Sequence, residues 1–421
     1  MEENNQVMQN NAQENAYVNN VATANNYATT QADVTVSQAP STPVIEDKIV
    51  VKVDLLKDAL RKADVIASKI DTAPMTLAAQ LVIEGNILKV IATDMNNSIT
   101  VSVPVESGRD GLSFTFRIVD IKPLIDKLPG ETLIIARSGN NIKITADSGE
   151  YLFNEYVDNT DGKPIIIPNL EEVAPISNIV EVDKTKLLAA FKTVSPLIEQ
   201  VSFNAEYSTI YVGDIVATTN GADVSVVRDE FTSILGREAH LRLSTVKALL
   251  TIGTGDKINI GFGTLPNGLV SVCFLTDNYK IYSALKENSE EFPIETIKAF
   301  MAMQTSAKTI VNRKVLINSI GRLQLFFGSG VIRQALDFEI TPNQLKISNE
   351  NRAFETISVV SNANIKLKFD IKKLDIPLKA ITTDEIIIEP LITNEAEAEE
   401  ISMVRISGTD GVSYVIGVAL Y

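Results

Sequence analysis

Tryptophan is absent from this chain of 421 residues, and histidine and cysteine occur once each, as His240 and Cys273. A single cysteine permits no internal disulfide and no cysteine-based zinc site. Flanked by Val272 and Phe274 in what reads as a strand, Cys273 behaves as a small buried hydrophobe. His240 has no neighbouring nucleophile motif and reads as a surface or strand residue. Gly253-Thr-Gly255-Asp-Lys257 lacks the spacing of a phosphate-binding loop, and Gly261-Phe-Gly263 begins no dinucleotide fingerprint. No apolar run reaches 18 residues, which excludes a transmembrane helix. The N-terminus lacks the basic and apolar regions of a signal peptide, so a cytoplasmic protein is expected. Basic residues are also scarce: 38 Lys and Arg against 53 Asp and Glu give a net charge of −15. Such a balance argues against nucleic acid as a partner unless the cations gather on one surface. The expectation is a protein with no catalytic residue, metal or cofactor, and no membrane association.

What is present is ordinary globular material, 45% hydrophobic and 22% charged, in a chain long enough for two to four domains. Residues 1–47 differ from the rest. They hold nine Asn, five Gln and six acids but no Lys or Arg, and no helical or strand period runs through them. This segment reads as a disordered tail. A second acidic run, Glu395 to Glu400, reads as a solvated hairpin loop.

From Lys48 onward three elements recur in the same order at a spacing of roughly 125 residues, the mark of an internal repeat. The first is an amphipathic helix: Leu56-Lys-Asp-Ala-Leu60-Arg-Lys-Ala63, then Leu187-Leu-Ala-Ala-Phe191-Lys-Thr-Val194, then Leu316-Ile-Asn-Ser-Ile320-Gly-Arg-Leu323. Positions i, i+4 and i+7 form one apolar face in each. The second is a hairpin, with strands before and after the turns at Asp94, Asn220 and Asn349. The third is a strand running into a helix, at Phe116 to Lys127, Leu241 to Leu250 and Phe369 to Lys379. Pro123 falls in what reads as a first helical turn, whereas Pro377 lies deeper and is expected to shorten or kink its helix. A strand pair closes each third, ending in Tyr151-Leu-Phe153, Lys280-Ile-Tyr282 and Tyr414-Val-Ile416. The expected division is a tail at 1–47 and three domains at 48–174, 175–298 and 299–421, joined near Pro164 to Pro175 and Phe292 to Lys298.

These pieces together resemble the bacterial DNA polymerase III β subunit, the β sliding clamp, over residues 48 to 421. The resemblance is carried by Ala92-Thr-Asp94, Thr219-Asn-Gly221, Phe292-Pro293, Ile167-Pro-Asn-Leu170, Asn343-Gln-Leu-Lys-Ile347 and Tyr414-Val-Ile-Gly-Val-Ala-Leu-Tyr421. It implies an α+β fold of three clamp domains, with antiparallel sheets outside and two helices per domain inside. It also implies a homodimeric, head-to-tail ring around double-stranded DNA. Loaded by an ATP-driven loader, such a ring tethers a replicative polymerase.

That reading gives the scattered cations a place. Arg61, Lys62, Lys122, Lys127, Lys186, Lys192, Lys247, Arg313, Arg322, Lys372, Lys373 and Lys379 lie on or beside the recurring helices, where they would hold duplex DNA without reading its sequence. The resemblance further implies a pocket between the second and third domains for short linear motifs of the polymerase and the clamp loader. The matching positions are Phe203, Thr219, Gly221, Ala222, Asp223 and Val224, then Pro293, Ile297 and Lys298 in the connector. Asp370 and Lys373 join them from the third domain, with Val415, Ile416, Gly417, Val418, Ala419 and Leu420 from the last strand. Ala222 and Asp223 replace the family's usual basic pair, and Gly417-Val-Ala-Leu420 replaces its Met-Pro-Met-Arg type ending, so a retuned pocket is expected. These departures, with the Asn-rich tail, are what a divergent member borne by a phage or mobile element would show. The implied dimer contacts are Tyr151 and Phe153 against Leu325 and Phe326. The competing reading is a non-catalytic, β-rich structural or assembly protein, such as a virion component, that shares the triplication without encircling DNA.

Overall fold

A computed structural model describes residues 47–68, 70, 73–139, 141–198, 209–228, 237–253, 255–265, 268–285, 292–305, 307–327, 334–349, 352–391 and 403–418. The tail expected at 1–47 (Asp47 apart), the acidic run at 395–400, and Phe203, Ala419 and Leu420 lie outside the described residues.

The first repeat runs β1 (Lys48–Lys52), α1 (Val53–Ile66), β2 (Ala78–Glu84), β3 (Ile87–Thr93), β4 (Asn97–Gly108), β5 (Ser113–Arg117), α2 (Ile118–Lys127), β6 (Thr132–Ser138), β7 (Asn141–Ala146) and β8 (Gly149–Asn154). After a single-turn helix, α3 (Leu170–Val173), the order recurs. The second repeat comprises β9 (Ser177–Asp183), α4 (Lys184–Val194), β10 (Thr209–Val212), β11 (Val216–Thr219), β12 (Val224–Val227), β13 (Ala239–Arg242), α5 (Leu243–Ile252), β14 (Lys257–Thr264), β15 (Val270–Leu275) and β16 (Tyr279–Ala284). A connector helix, α6 (Ile294–Ala302), precedes the third repeat. That repeat holds β17 (Thr309–Asn312), α7 (Arg313–Gln324), β18 (Ala335–Thr341), β19 (Gln344–Asn349), β20 (Ala353–Ser358), β21 (Val360–Ser361), β22 (Ile365–Asp370), α8 (Ile371–Ala380), β23 (Glu385–Leu391), β24 (Met403–Ser407) and β25 (Val412–Gly417). The three elements read from the sequence therefore recur as expected. The boundary expected after Lys298 falls inside α6, so an ordered helix stands where a plain connector was read.

Each helix forms because its apolar residues share one face. In α1 the buried face is Val53, Leu56, Ala59, Leu60, Ala63 and Ile66, and in α7 it is Leu316, Ile320 and Leu323 with Ser319. These faces pack on the hairpins of their own repeats, and α2, α1, α5 and α4 lie side by side in that order. Pro377 does not shorten its helix. Both Pro123 and Pro377 sit inside ten-residue helices, at the sixth and seventh positions, so the two copies are alike. In such short helices each proline removes one backbone bond within a turn or so of the C-terminus, where helices already relax.

All pairings between named strands are antiparallel, and sheets cross from one repeat to the next. Strand β4 pairs with β16 in the register Ile99↔Ile281, and β12 pairs with β25 in the register Ser225↔Tyr414. In each case the strand after the Asx turn of one repeat meets the last strand of the next. The corresponding strands left over, β20 and β8, are sheet edges.

Candidate nucleic-acid interface and partner site

The hairpin turns are built alike in the first two repeats. Asp94 accepts from the backbone N–H of Asn96 and Asn97, at 2.9 and 2.6 Å, and Asn220 accepts from Ala222 and Asp223, at 3.0 and 2.8 Å. Thr93 and Thr219 each donate to the carbonyl four residues on, Asn97 O at 2.8 Å and Asp223 O at 2.9 Å. The position after the Asx residue needs positive φ, held by Met95 at 76° in one copy and Gly221 at 88° in the other. Glycine bears that conformation without the penalty a side chain brings. The turns aim their last residues, Asn97 and Asp223, at the following repeat.

The basic residues divide sharply by environment. On α1, Asp58 pairs with Arg61 at 2.7 Å and with Lys62. Burial raises the Asp58 carboxyl, but hydrogen bonds from Lys62 and Arg61 outweigh it and hold the group below the usual aspartate range. Lys62, expected on an exposed basic face, is instead 4% exposed, its ammonium 5.6 Å from the ring of Tyr279 in the second repeat. Lys184 stands 5.3 Å from the same ring and donates to the Tyr279 hydroxyl at 2.9 Å. Burial and the nearby Lys62 push the Lys184 ammonium down. Lys62 thus belongs to the joint between the first two repeats, out of reach of a DNA phosphate.

Lys122 pairs with Asp126 at 2.8 Å and Lys379 with Asp375 at 2.5 Å, each one helical turn apart. Arg313 was expected to face DNA, yet its guanidinium donates to the carbonyls of Thr383 and Leu378, at 2.8 and 2.9 Å, and so holds the end of α8. Arg322 makes a bidentate pair with Glu355 of β20, both contacts at 2.6 Å. Lys373 is bonded to Asp223 at 3.0 Å. Lys127, Lys186, Lys192, Lys247 and Lys372 remain exposed with no acid partner among the described residues. Three of those five sit on α4 and α5, helices that contain no Asp or Glu. Positive charge open to a polyanion is therefore concentrated on the second repeat.

The positions expected to form a partner pocket are brought together only in part. Val224, Ile297 and Val415 are buried in one apolar cluster with Phe292, Met301 and Leu391. Ile416 points the other way, into the main core, and Pro293 stands at the N-cap of α6. Lys298 is bonded to Asp214 at 3.1 Å, and Asp370 caps α8 by accepting from the Lys372 N–H at 2.9 Å. Thr219 is buried under the turn, while Gly221 and Ala222 are exposed at its tip, and Val418 is half-buried at the end of β25. Asp223, with 4% of its side chain exposed, accepts from both Lys373 and the Gly417 N–H, the latter at 2.9 Å. Where the resemblance implied a cationic position, this chain has a buried carboxylate tying the second repeat to the third. The helix α6 escaped the sequence reading, although Ile297 and Met301 at i and i+4 carry its signal. Its C-terminal carbonyls are held by Arg405, which donates to Phe300, Met301 and Met303 at 3.1 to 3.2 Å and is itself held by Glu389.

The expected contact residues Tyr151 and Phe153 are half-buried on the inner face of β8, with Phe153 edge-on to Phe116 at 5.7 Å. Leu325 and Phe326, just past α7, are 81% and 50% exposed. Leu152 and Phe354, not singled out from the sequence, are also exposed, one on β8 and one on β20. The one cysteine is buried on β15, and burial pushes its thiol up to about 12. His240 is a buried strand residue stacked edge-on against Tyr211 and Phe292.

No protein-family model and no curated protein matches the chain. Solved structures do. The DNA polymerase III β subunit of Thermotoga maritima matches with a TM-score of 0.72 at 18% identity, over 89% of this chain and 99% of that one. The β subunit of Pseudomonas aeruginosa gives 0.73 at 16%, over 89% and 100%. The polymerase sliding clamp of Caulobacter crescentus gives 0.73 at 14%, again over 89% and 100%. At such identities the likeness speaks for architecture, and the architecture it establishes is the α+β, three-repeat fold of the DNA polymerase III β-subunit sliding clamps.

Proposed function

We propose that the chain is a DNA sliding clamp, two copies of which close head to tail into a ring around duplex DNA. The observation that carries this reading is the pair of internal joints. Both use equivalent strands, β4 with β16 and β12 with β25, so the same rule applied once more pairs β20 of one copy with β8 of a second. Unpaired edges are a liability that a partner strand removes. The exposed Leu325, Phe326 and Phe354 beside β20, and Leu152 on β8, supply apolar area for that contact. Within the ring, the helix layer faces the duplex, and Lys186, Lys192 and Lys247 carry most of the sequence-independent phosphate attraction. The chain is read as a non-enzyme of the cytoplasm; no described helix is long and apolar enough to cross a membrane.

Polymerase and loader are read as docking by short motifs beside α6, where the turn at Gly221, the connector and the end of β25 converge. With Asp223 neutralising Lys373, this site favours apolar anchors over acidic ones. The deciding experiment is retention on DNA after loading. A clamp stays on closed circular DNA and slides off once the circle is linearised. Equal loss from both, with a loader present, favours the structural or assembly protein that the triplication alone would also fit.

A further inference from the structure

The two internal joints share a polar device as well as a strand pairing. At the first, Asn97, the last residue of its turn, accepts from the Thr245 hydroxyl at 2.7 Å and donates to Ser244 at 3.0 Å. At the second, Asp223, the last residue of the equivalent turn, accepts from Lys373 at 3.0 Å. Thr245 and Lys373 are each the third residue of a helix, α5 from Leu243 and α8 from Ile371. The third residue of the corresponding helix in the first repeat, α2 from Ile118, is Asp120. Asp120 is exposed, and no hydrogen-bond or ion-pair partner for it occurs among the described residues. The turn of the third repeat that leads into β20 ends in Arg352, the one cation between Asn349 and Ala353. Its backbone N–H bonds Asn349 O at 2.7 Å, and its exposed guanidinium likewise has no partner among the described residues.

We propose that Arg352 of one copy and Asp120 of a second copy form the latch of the joint that closes the ring. The inference rests on the ring reading above and adds to it a named contact. It also supplies an ordering rule. The second joint places acid on the turn and base on the helix, whereas the closing joint reverses that polarity. Docking β12 against β8 would set Asp223 against Asp120, and docking β20 against β25 would set Arg352 against Lys373. Like charges brought together this way disfavour both wrong joints, so the repeats assemble in one order.

The test is the dimer dissociation constant of the full chain, measured by sedimentation for the wild type, Asp120→Arg, Arg352→Asp and the double exchange. A symmetric ring contains the latch twice, so each single reversal is expected to weaken the dimer roughly tenfold, and the double exchange to recover it to within about threefold. Both side chains are exposed, and unchanged urea unfolding of the single variants rules out a folding defect as the cause. Singles that dimerise like the wild type, or a double exchange no better than the worse single, overturn the latch while leaving the ring intact. A wild-type chain that stays monomeric at micromolar concentration overturns the ring reading itself.

Discussion

Asp223 is the residue on which the junction of the second and third repeats turns, because one buried carboxylate serves a lysine side chain and a strand-end N–H together. Asp223→Ala is expected to cost about 2 kcal/mol in urea unfolding, since a half-buried ammonium and an amide lose their acceptor. Asp223→Asn, which keeps an acceptor, should cost less. Neither partner is near Asp223 in sequence, being 150 and 194 residues away, so nothing local announced the pair. Lys62 is different, because its burial was legible. It lies three residues after Ala59 and four before Ile66, inside the apolar stripe of α1, and only its adjacency to Arg61 made it look like surface. At Cys273 the expected inertness is testable. With its thiol pushed up to about 12, labelling by a thiol reagent at pH 8 should proceed only at the rate at which the protein unfolds.

At the scale of elements, the repeated order of strands and helices could be read because apolar period and turn residues are local signals. Which lysines stay free could not, because pairing depends on what packs alongside. Replacing Lys186, Lys192 and Lys247 by Gln should reduce the slope of log affinity against log salt by about 2 to 3. The same change at Arg61, Lys122 and Lys379 should shift it by less than about 1; equal effects of the two triples would show that the helix faces are misassigned. Helix α7 offers two further handles. Gly321 is helical, exposed and has open space where a Cβ would stand, so Gly321→Ala should raise stability by about 0.5–1 kcal/mol. The hydrogen bond from Arg322 holds the Glu355 carboxyl below its ordinary value of 4.5. A lowered folded-state value means stability that is present above pH 4.5 and lost as the pH falls below it. Arg322→Gln should therefore lower stability slightly across the neutral region, leave it unchanged well below pH 4.5, and so flatten the acid limb between them.

For the molecule as a whole, the second repeat divides its strands between two sheets. β9, β14, β15 and β16 continue the sheet of the first repeat, while β10 to β13 join the third. None of its halves can melt without opening a joint. A single urea transition is expected, reported alike by far-UV circular dichroism and by fluorescent probes placed in each repeat, where three separate domains would give staggered curves.

The internal joints have something that the closing joint of the proposed ring would lack. A segment containing α3 links the first repeat to the second, and α6 with its flanks links the second to the third, so when either joint parts its halves remain at high local concentration and meet again. Between the two copies of the proposed ring there would be no such leash, and each opening would compete with diffusion. A ring built this way has a defined seam: dilution, force or a loading machine would part it between copies long before it parted inside one, and a threaded DNA would enter and leave there.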